Sequence, residues 1–288
     1  GYTGGFLTQF YYLSIAGPLI IAILILGIQQ STYRILSSIN SNPVFYLLSF
    51  IPALNGAMIL CDEFYPLSAV VGFLIALLAG WLYVSIRKSN RRFLSGLILL
   101  VLAYWLTGGS YLMLLGVMLF FEILESLKAR RLNNNVDSPG EALFERLQFW
   151  QPVIYIILAG GLPLLVRQFL ILQPLGITFI SEYYYDMRTV MPKAIPVLFA
   201  LPSLLMLILF FLPSKNRSYK IAVIIQIALL IAGSFFGFMR WANFGAEDIM
   251  KYYQYVRKGR WNDAIAFAKK NPPRNNLSLA MLNLSLAK

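Results

Sequence analysis

Histidine is absent from this chain, and cysteine occurs only once, as Cys61. The lack of histidine excludes catalytic triads with an imidazole base, His-ligated metal sites and His-ligated haem. A single cysteine excludes a disulfide within the chain and leaves the redox compartment undetermined. Carboxylates, lysine, arginine and hydroxyl groups remain for any catalysis, so we expect no metal site and no cofactor.

Charge is also scarce, and long apolar runs take its place. Charged residues make up 12% of the chain and hydrophobic residues 59%, whereas soluble domains carry about 25% charged residues. The mean hydropathy is +0.68. A net charge of +12 would suggest nucleic acid in a soluble protein, but here the basic residues flank apolar runs, where anionic lipid headgroups attract them. We therefore predict a polytopic membrane protein that contacts membrane lipids and no nucleic acid.

Eight apolar runs predict an all-α transmembrane bundle of about eight spans, because a bilayer core of about 30 Å needs roughly 20 helical residues. The runs are 11–28, 44–60, 67–86, 93–106, 110–127, 150–172, 195–212 and 219–240. Residues 1–240 thus form the predicted bundle and residues 241–288 a separate tail. The fourth and fifth runs meet at Gly108-Gly109, which is either a tight turn between two helices or a point within one long helix from 93 to 121.

The basic residues decide between these two arrangements. With eight spans, twelve of them lie on one side of the membrane and three on the other. The twelve are Arg34, Arg87, Lys88, Arg91, Arg92, Lys128, Arg130, Arg131, Arg146, Lys215, Arg217 and Lys220, and the three are Arg167, Arg188 and Lys193. Merging the two runs makes the counts nearly equal and removes the bias. Since positive loops stay cytoplasmic, we predict eight spans, with residues 1–10, the 173–194 loop and the tail outside the cytoplasm.

A short amphipathic helix is predicted near 138–150, between the fifth and sixth runs. Ser138 and Glu141 form a capping box, and Pro139 occupies the favoured first helical position. Apolar residues then recur at helical spacing. We predict that this helix lies on the cytoplasmic membrane surface and ends before Pro152.

Two patterns within the predicted spans favour packing over chemistry. Gly233 and Gly237 have the spacing that lets helix backbones approach closely, and we expect internal packing, with a dimer interface as the alternative. Glu122 and Glu125 precede the basic run 128–131. Although carboxylates within spans are candidate functional groups, their position predicts surface pairing or snorkelling at the cytoplasmic interface.

The outer face carries the candidate catalytic residues. Asp62 and Glu63 occupy the turn between the second and third runs, and Glu182 and Asp186 lie in the long outer loop. Together with cations on the same face, such carboxylates would suit a lipid phosphate and a general base. The candidate phosphate-binding cations are Arg167, Arg188, Lys193 and Arg240. The alternative is that these are ordinary polar residues of outer loops.

The tail resembles a known repeat. Residues 258–272 read KGRWNDAIAFAKKNP, in which Gly259 separates two helical patterns and Pro272 follows the second. This segment resembles the core of a tetratricopeptide repeat, although the Trp-Leu-Gly run of the first repeat helix is missing. The resemblance implies a helical hairpin with the next repeat opening at Asn276, further repeats beyond Lys288 because about three units are needed for stability, and a protein partner.

The chain as a whole is similar to an uncharacterised family of bacterial polytopic membrane proteins. The similarity rests on FLTQFYY (6–12), YWLTGG (104–109) and the junction between bundle and tail. Members of that family have a further N-terminal helix and outer loop before the segment where this chain begins. The resemblance implies multi-pass residence in the bacterial inner membrane and supplies no activity.

Two classes of function follow. The first is an envelope protein whose bundle anchors an extracytoplasmic repeat domain for protein interaction. The second is an enzyme similar to glycosyltransferases that use polyprenyl-phosphate-linked sugars at the outer face. In those enzymes the key acid lies in the first outer loop, and Asp62 and Glu63 do not occupy that motif position. A transporter is a weaker third possibility, since no inverted repeat is evident.

Overall fold

The computed structural model describes residues 2–13, 15–40, 42–61, 67–132, 139–169, 178–179, 194–211, 219–241, 244–273 and 275–288. Every regular element within these ranges is helical. The α-helices are α1 (Tyr2–Gln9), α2 (Ala16–Ile39), α3 (Phe50–Ile59), α4 (Leu67–Ser85), α5 (Ser89–Thr107), α6 (Tyr111–Leu132), α7 (Pro139–Phe169), α8 (Ala194–Phe211), α9 (Tyr219–Trp241), α10 (Phe244–Arg257), α11 (Trp261–Lys270) and α12 (Asn276–Leu286). Short 3-10 helices cover Phe10–Tyr12, Pro43–Ser49 and Gly108–Ser110.

Four helical stretches are long and apolar enough to cross a membrane, judged by length and composition. They are Ala16–Ile39, Leu67–Ser85, Ser89–Lys128 and Trp150–Phe169, and four shorter apolar helices are Phe45–Ile59, Val197–Phe211, Val223–Met239 and Asn276–Leu286. One face of α5 exposes Leu94, Ile98, Leu102 and Trp105 at helical spacing. An apolar stripe of this kind is suited to lipid contact. The all-α class is confirmed and the apolar helices indicate a membrane protein, whereas the number of spans stays a prediction.

Helix α4 is the centre of the bundle, packed against α1, α2, α5 and α6. Its small residues face its neighbours: a Cβ atom on Gly72 would lie 3.2 Å from the carbonyl oxygen of Thr107, and one on Gly80 would lie 3.4 Å from Val117. Ala76, between them, is fully buried. Small side chains thus allow the close helix approach that membrane helices need in place of a hydrophobic driving force.

The chain reverses direction at Gly108, so α5 and α6 form an antiparallel hairpin. Arg92 contacts Glu122, a Cβ on Gly96 would meet Met118, and the rings of Tyr104 and Tyr111 lie 5.1 Å apart. Along the sequence, the two members of each pair are equally far from residue 107 or from the bond between residues 107 and 108. In a single straight helix, Arg92 and Glu122 would be about 45 Å apart. Gly108 has φ 57°, a left-handed conformation that glycine adopts without strain. Two helices, as predicted, therefore meet at this glycine pair.

Helix α2 differs from its predicted span, 11–28, because it begins at Ala16 and continues to Ile39. The predicted apolar run ends at residue 28, yet the next side chain, the polar Gln29, is buried rather than solvated. Gln29 is 3% exposed and donates from Nε2 to Ser49 Oγ at 2.8 Å. A satisfied polar side chain can stay inside a bundle, so hydropathy alone placed the end of this helix too early.

Helix α7 starts at Pro139, as the capping box predicts, but it does not end before Pro152. It runs for 31 residues to Phe169 with Pro152 and Pro163 inside it. The prediction that Pro152 separates two helices is therefore wrong. Within spans, the backbone groups that a proline frees can be satisfied by neighbouring helices and local adjustments, so proline is tolerated there. Whether residues 139–149 lie on the membrane surface stays a prediction.

The tail folds on itself as three helices. Gly259 has φ +66° and turns the chain between α10 and α11. Tyr252 is 1% exposed, donates to the carbonyl oxygen of Asn271 at 2.7 Å and packs edge-on against Phe267. Asn275 caps α12 by accepting from the backbone of Ser278 at 2.7 Å. These contacts pack the three helices of the tail, whereas the assignment of a tetratricopeptide-like repeat stays a prediction.

Candidate functional site

The most deeply buried charged groups among the described residues are Arg92 on α5 and Glu122 on α6. Arg92 donates from Nε to Glu122 Oε1 at 2.7 Å and from an amino group to Oε2 at 3.2 Å. The pair is therefore bidentate, the strong geometry for a guanidinium and a carboxylate. The side chains are only 6% and 1% exposed. A charge pair this deep needs all its hydrogen bonds, because each ion has lost its hydration.

Two tyrosines from the flanking helices complete this network. Tyr83 on α4 donates to Glu122 Oε1 at 2.6 Å. The hydroxyl of Tyr83 also lies 3.3 Å from the hydroxyl of Tyr155, on α7. Tyr155 donates to the carbonyl oxygen of Phe93 at 3.3 Å. We call Tyr83, Arg92, Glu122 and Tyr155 the buried network; it joins α4, α5, α6 and α7.

Gly96, one turn after Arg92 on α5, makes room for the buried network. A Cβ atom there would lie 2.5 Å from the Tyr155 hydroxyl and 2.8 Å from both Met118 and the ring of Tyr83. Real Cβ atoms do not approach neighbours so closely. Glycine is thus required by packing at this position, even though it weakens a helix interior.

Glu122 compensates for the unfavourable position of the Arg92 charge in its helix. It lies in the first turn of α5, where the partial positive charge of the helix end disfavours a cation. Glu122 supplies the compensating charge, and the Phe121 ring lies 5.0 Å from the guanidinium. Both charges are neutralised and Glu122 already accepts three hydrogen bonds, so the arrangement is suited to clamping helices rather than to proton transfer.

The prediction that Glu122 pairs at the surface or snorkels is wrong. Glu122 is 2% exposed and its partner is Arg92, thirty residues away in sequence. Charge counting assigns Arg92 to a cytoplasmic loop and therefore does not pair it with Glu122. The spacing along the chain does indicate the pair: Arg92 and Glu122 each lie fifteen residues from Thr107, beside the glycine turn, so a hairpin there places them opposite each other. Glu125, by contrast, is partly exposed.

The predicted outer-face site lies largely outside the described residues. The four carboxylates Asp62, Glu63, Glu182 and Asp186 fall there, as do the cations Arg188 and Lys193. Arg167 is described and exposed in the last turn of α7. Arg240 belongs to α9, but its side chain is outside the description. Arg167 is thus the single side chain of the predicted site among the described residues, and the outer-face site stays a prediction.

Two further observations bear on the chemistry and the relatives of the chain. Within the described ranges, no three acidic or cysteine side chains are grouped so that they would hold a metal ion.

Comparison with curated proteins and with solved structures finds no match. A family comparison does find one, over residues 1–288. The chain belongs to DUF6057, a family of unknown function.

Proposed function

We propose that this protein is a bacterial inner-membrane protein whose bundle anchors an extracytoplasmic helical-repeat unit that binds a protein partner. The observation that carries the proposal is the packing of the tail. Helix α12 packs against both α10 and α11, which also pack against each other. Stacked helical repeats have this arrangement, in which each new helix lies on the preceding pair.

The tail also presents apolar side chains outside the candidate spanning helices. Met250 and Tyr253 are 68% and 51% exposed and lie three residues apart on α10. Exposed aromatic and methionine side chains on one helix face are typical of protein-binding surfaces. We propose this α10 strip, Met250 and Tyr253, as the contact surface for the partner.

Photo-crosslinking in living cells tests the partner. A photoreactive phenylalanine at Tyr253 is expected to give a discrete protein adduct, whereas the same residue at Ile98, on the lipid-facing stripe of α5, is expected to give none. Adding Tyr252→Ala, which removes the buried ring that packs α10 against Phe267 of α11, is expected to abolish the adduct at unchanged protein level. An adduct of equal yield at both positions, or none at Tyr253, would contradict the proposal.

Cysteine labelling tests the orientation separately. In a Cys61→Ser background, Lys88→Cys and Lys270→Cys place one thiol beside α5 and one at the end of α11, both at exposed positions. A membrane-impermeant maleimide applied to spheroplasts is expected to label residue 270 at once and residue 88 only after permeabilisation. Labelling of both from one side would rule out the proposed topology.

The enzymatic alternative rests on the sequence alone, because its four carboxylates lie outside the described residues. It proposes transfer of a sugar from a polyprenyl-phosphate carrier at the outer face. Replacing Asp62, Glu63, Glu182 and Asp186 one at a time is expected to abolish a glycan-dependent phenotype at unchanged protein level for at least one residue. Wild-type behaviour of all four variants would remove this alternative; transport, the weakest proposal, has no structural observation in its favour.

A further inference from the structure

A narrow groove lies between α8 and α9, with α3 as its floor. Both helices pack along α3, while within the described ranges they make only sparse contact with each other. The groove holds a cavity of about 270 Å³. Its lining extends from Leu48, in the 3-10 helix that precedes α3, to Met58 near the end of α3, ten residues or about 15 Å at helical rise. A space this long and narrow fits an extended chain better than a compact ring.

Gly233 keeps the groove open. A Cβ atom on Gly233 would meet nothing within 4 Å, whereas one on Gly237 would collide with Met58. Of the two glycines spaced for helix packing, Gly237 therefore serves the contact with α3, as predicted, and Gly233 lines the cavity. The groove is also reachable from lipid, since Val197 and Leu229 at its edges are 50% and 64% exposed.

Two carboxamides line this otherwise apolar groove. Asn55 Oδ1 and Gln226 Oε1 are buried from solvent and have no hydrogen-bond partner among the described residues. Gln226 is 8% exposed. A buried amide without a partner is costly, and more so where no water reaches it. Both oxygens are acceptors and are thus available to an uncharged ligand that donates hydrogen bonds.

The two carboxamides lie at different levels of the groove. Met58 meets Gly237, and α9 also packs against the 3-10 helix that precedes α3, so α3 and α9 run parallel. Asn55, three residues before Met58, is therefore level with Ser234. Gln226 lies eight residues earlier, about 12 Å along the helix axis. An extended chain advances roughly 1.2 Å per bond, so about ten bonds separate the two polar levels.

No charged residue lines the groove among those described. A charged headgroup would lose its hydration there without a counter-ion. We propose that the groove binds the acyl chain of an uncharged lipid that carries two hydroxyl groups about ten bonds apart, a headgroup hydroxyl that donates to Asn55 and a chain hydroxyl that donates to Gln226. Asn55 is the headgroup site because it lies one turn from the end of α3 and is partly exposed.

Native mass spectrometry of the detergent-purified full chain tests this proposal with two matched probes. The probes are 1-(9-hydroxystearoyl)glycerol and 1-stearoylglycerol, which differ only in a hydroxyl on the ninth carbon of the chain, eleven bonds from the hydroxyl-bearing second carbon of the glycerol. The hydroxylated lipid is expected to bind about tenfold more tightly, the ratio that one buried hydrogen bond provides.

Paired variants locate the effect. Gln226→Leu is expected to reduce the ratio to about one, whereas Gln151→Leu, in a buried glutamine of α7 outside the groove, leaves it unchanged. Gly233→Leu fills the groove and is expected to abolish binding of both probes. Gly160→Leu, at a helical glycine with equally open surroundings, is expected to preserve it.

Three results would overturn the proposal. The first is equal affinity of the wild-type chain for the two probes. The second is undiminished binding to Gly233→Leu while it unfolds like the wild type. The third is a dimer in the wild type that Gly233→Leu converts to a monomer, because the occupant would then be a second copy of this chain.

Discussion

The buried network and the groove both place polar side chains in apolar surroundings, and they do so with opposite outcomes. In the buried network, Arg92 and Glu122 satisfy each other and the tyrosines complete the set. In the groove, Asn55 and Gln226 line a cavity without partners among the described residues. Mutually satisfied groups hold helices together, while unsatisfied groups remain available to a ligand. The buried network therefore suits the clamping of α4 to α7, and the groove between α3, α8 and α9 suits the binding of a ligand.

Breaking the buried network is expected to have the largest effect. Arg92→Leu or Glu122→Leu leaves one buried charge without a partner, which destabilises by about 3–5 kcal/mol. Unfolding of the purified chain in mixed detergent micelles measures the loss. The matched control is Arg260→Leu, which removes an exposed ion pair with Asp263 and costs at most about 1 kcal/mol. Similar losses in the free energy of unfolding for the buried and the exposed pair would contradict a stabilising role of the buried network.

Adding a methyl group at Gly96 is expected to have an intermediate effect. Gly96→Ala forces a Cβ against Tyr155, Tyr83 and Met118, and overpacking of this kind costs about 1–3 kcal/mol. Gly160→Ala, in α7, enters open space and is expected to stabilise by about 0.5–1 kcal/mol through helix propensity. Unfolding in micelles compares the two variants, and a stabilised Gly96→Ala would show that the helices are not so tightly packed there.

The smallest effect on the free energy of unfolding is expected for substitutions in the groove, where the sign of the change is informative. Gln226→Leu removes an amide whose oxygen has no partner, so the free energy of unfolding should stay constant or rise slightly. Gln29→Leu leaves the Ser49 hydroxyl without its donor and should lose about 1 kcal/mol. Thermal unfolding of the two variants tests the contrast. A greater loss for Gln226→Leu would reveal a partner within the protein and weaken the lipid-binding proposal.

Features that depend on local pattern could be predicted from the sequence. Apolar runs located the candidate membrane helices, and the Gly108-Gly109 pair marked the reversal between α5 and α6. Gly259 and the capping box before Pro139 likewise marked a turn and a helix start. Each of these depends on residues close together in the chain, where glycine and proline restrict the backbone directly.

Features that depend on partners could not be predicted in the same way. Charge counting treats Arg92 as a loop cation, although its hydrogen bonds run to Glu122 inside the bundle. Hydropathy ended α2 near Gln29 because it cannot register a hydrogen bond to Ser49. The groove was missed for a related reason: Asn55 and Gln226 are far apart in sequence, and only the packing of three helices places both along one cavity.

A double-mutant cycle on Arg92 and Glu122 tests the central claim most directly, namely that this pair clamps the antiparallel α5–α6 hairpin inside the bundle. Each residue is replaced by leucine, singly and together, and the free energies of unfolding are compared in the same micelles. Because the double variant leaves no unpaired charge, it should be more stable than either single variant and should lose only about 1–3 kcal/mol, the cost of leaving the buried Tyr83 hydroxyl without its acceptor. Additive losses in the double variant would contradict the claim.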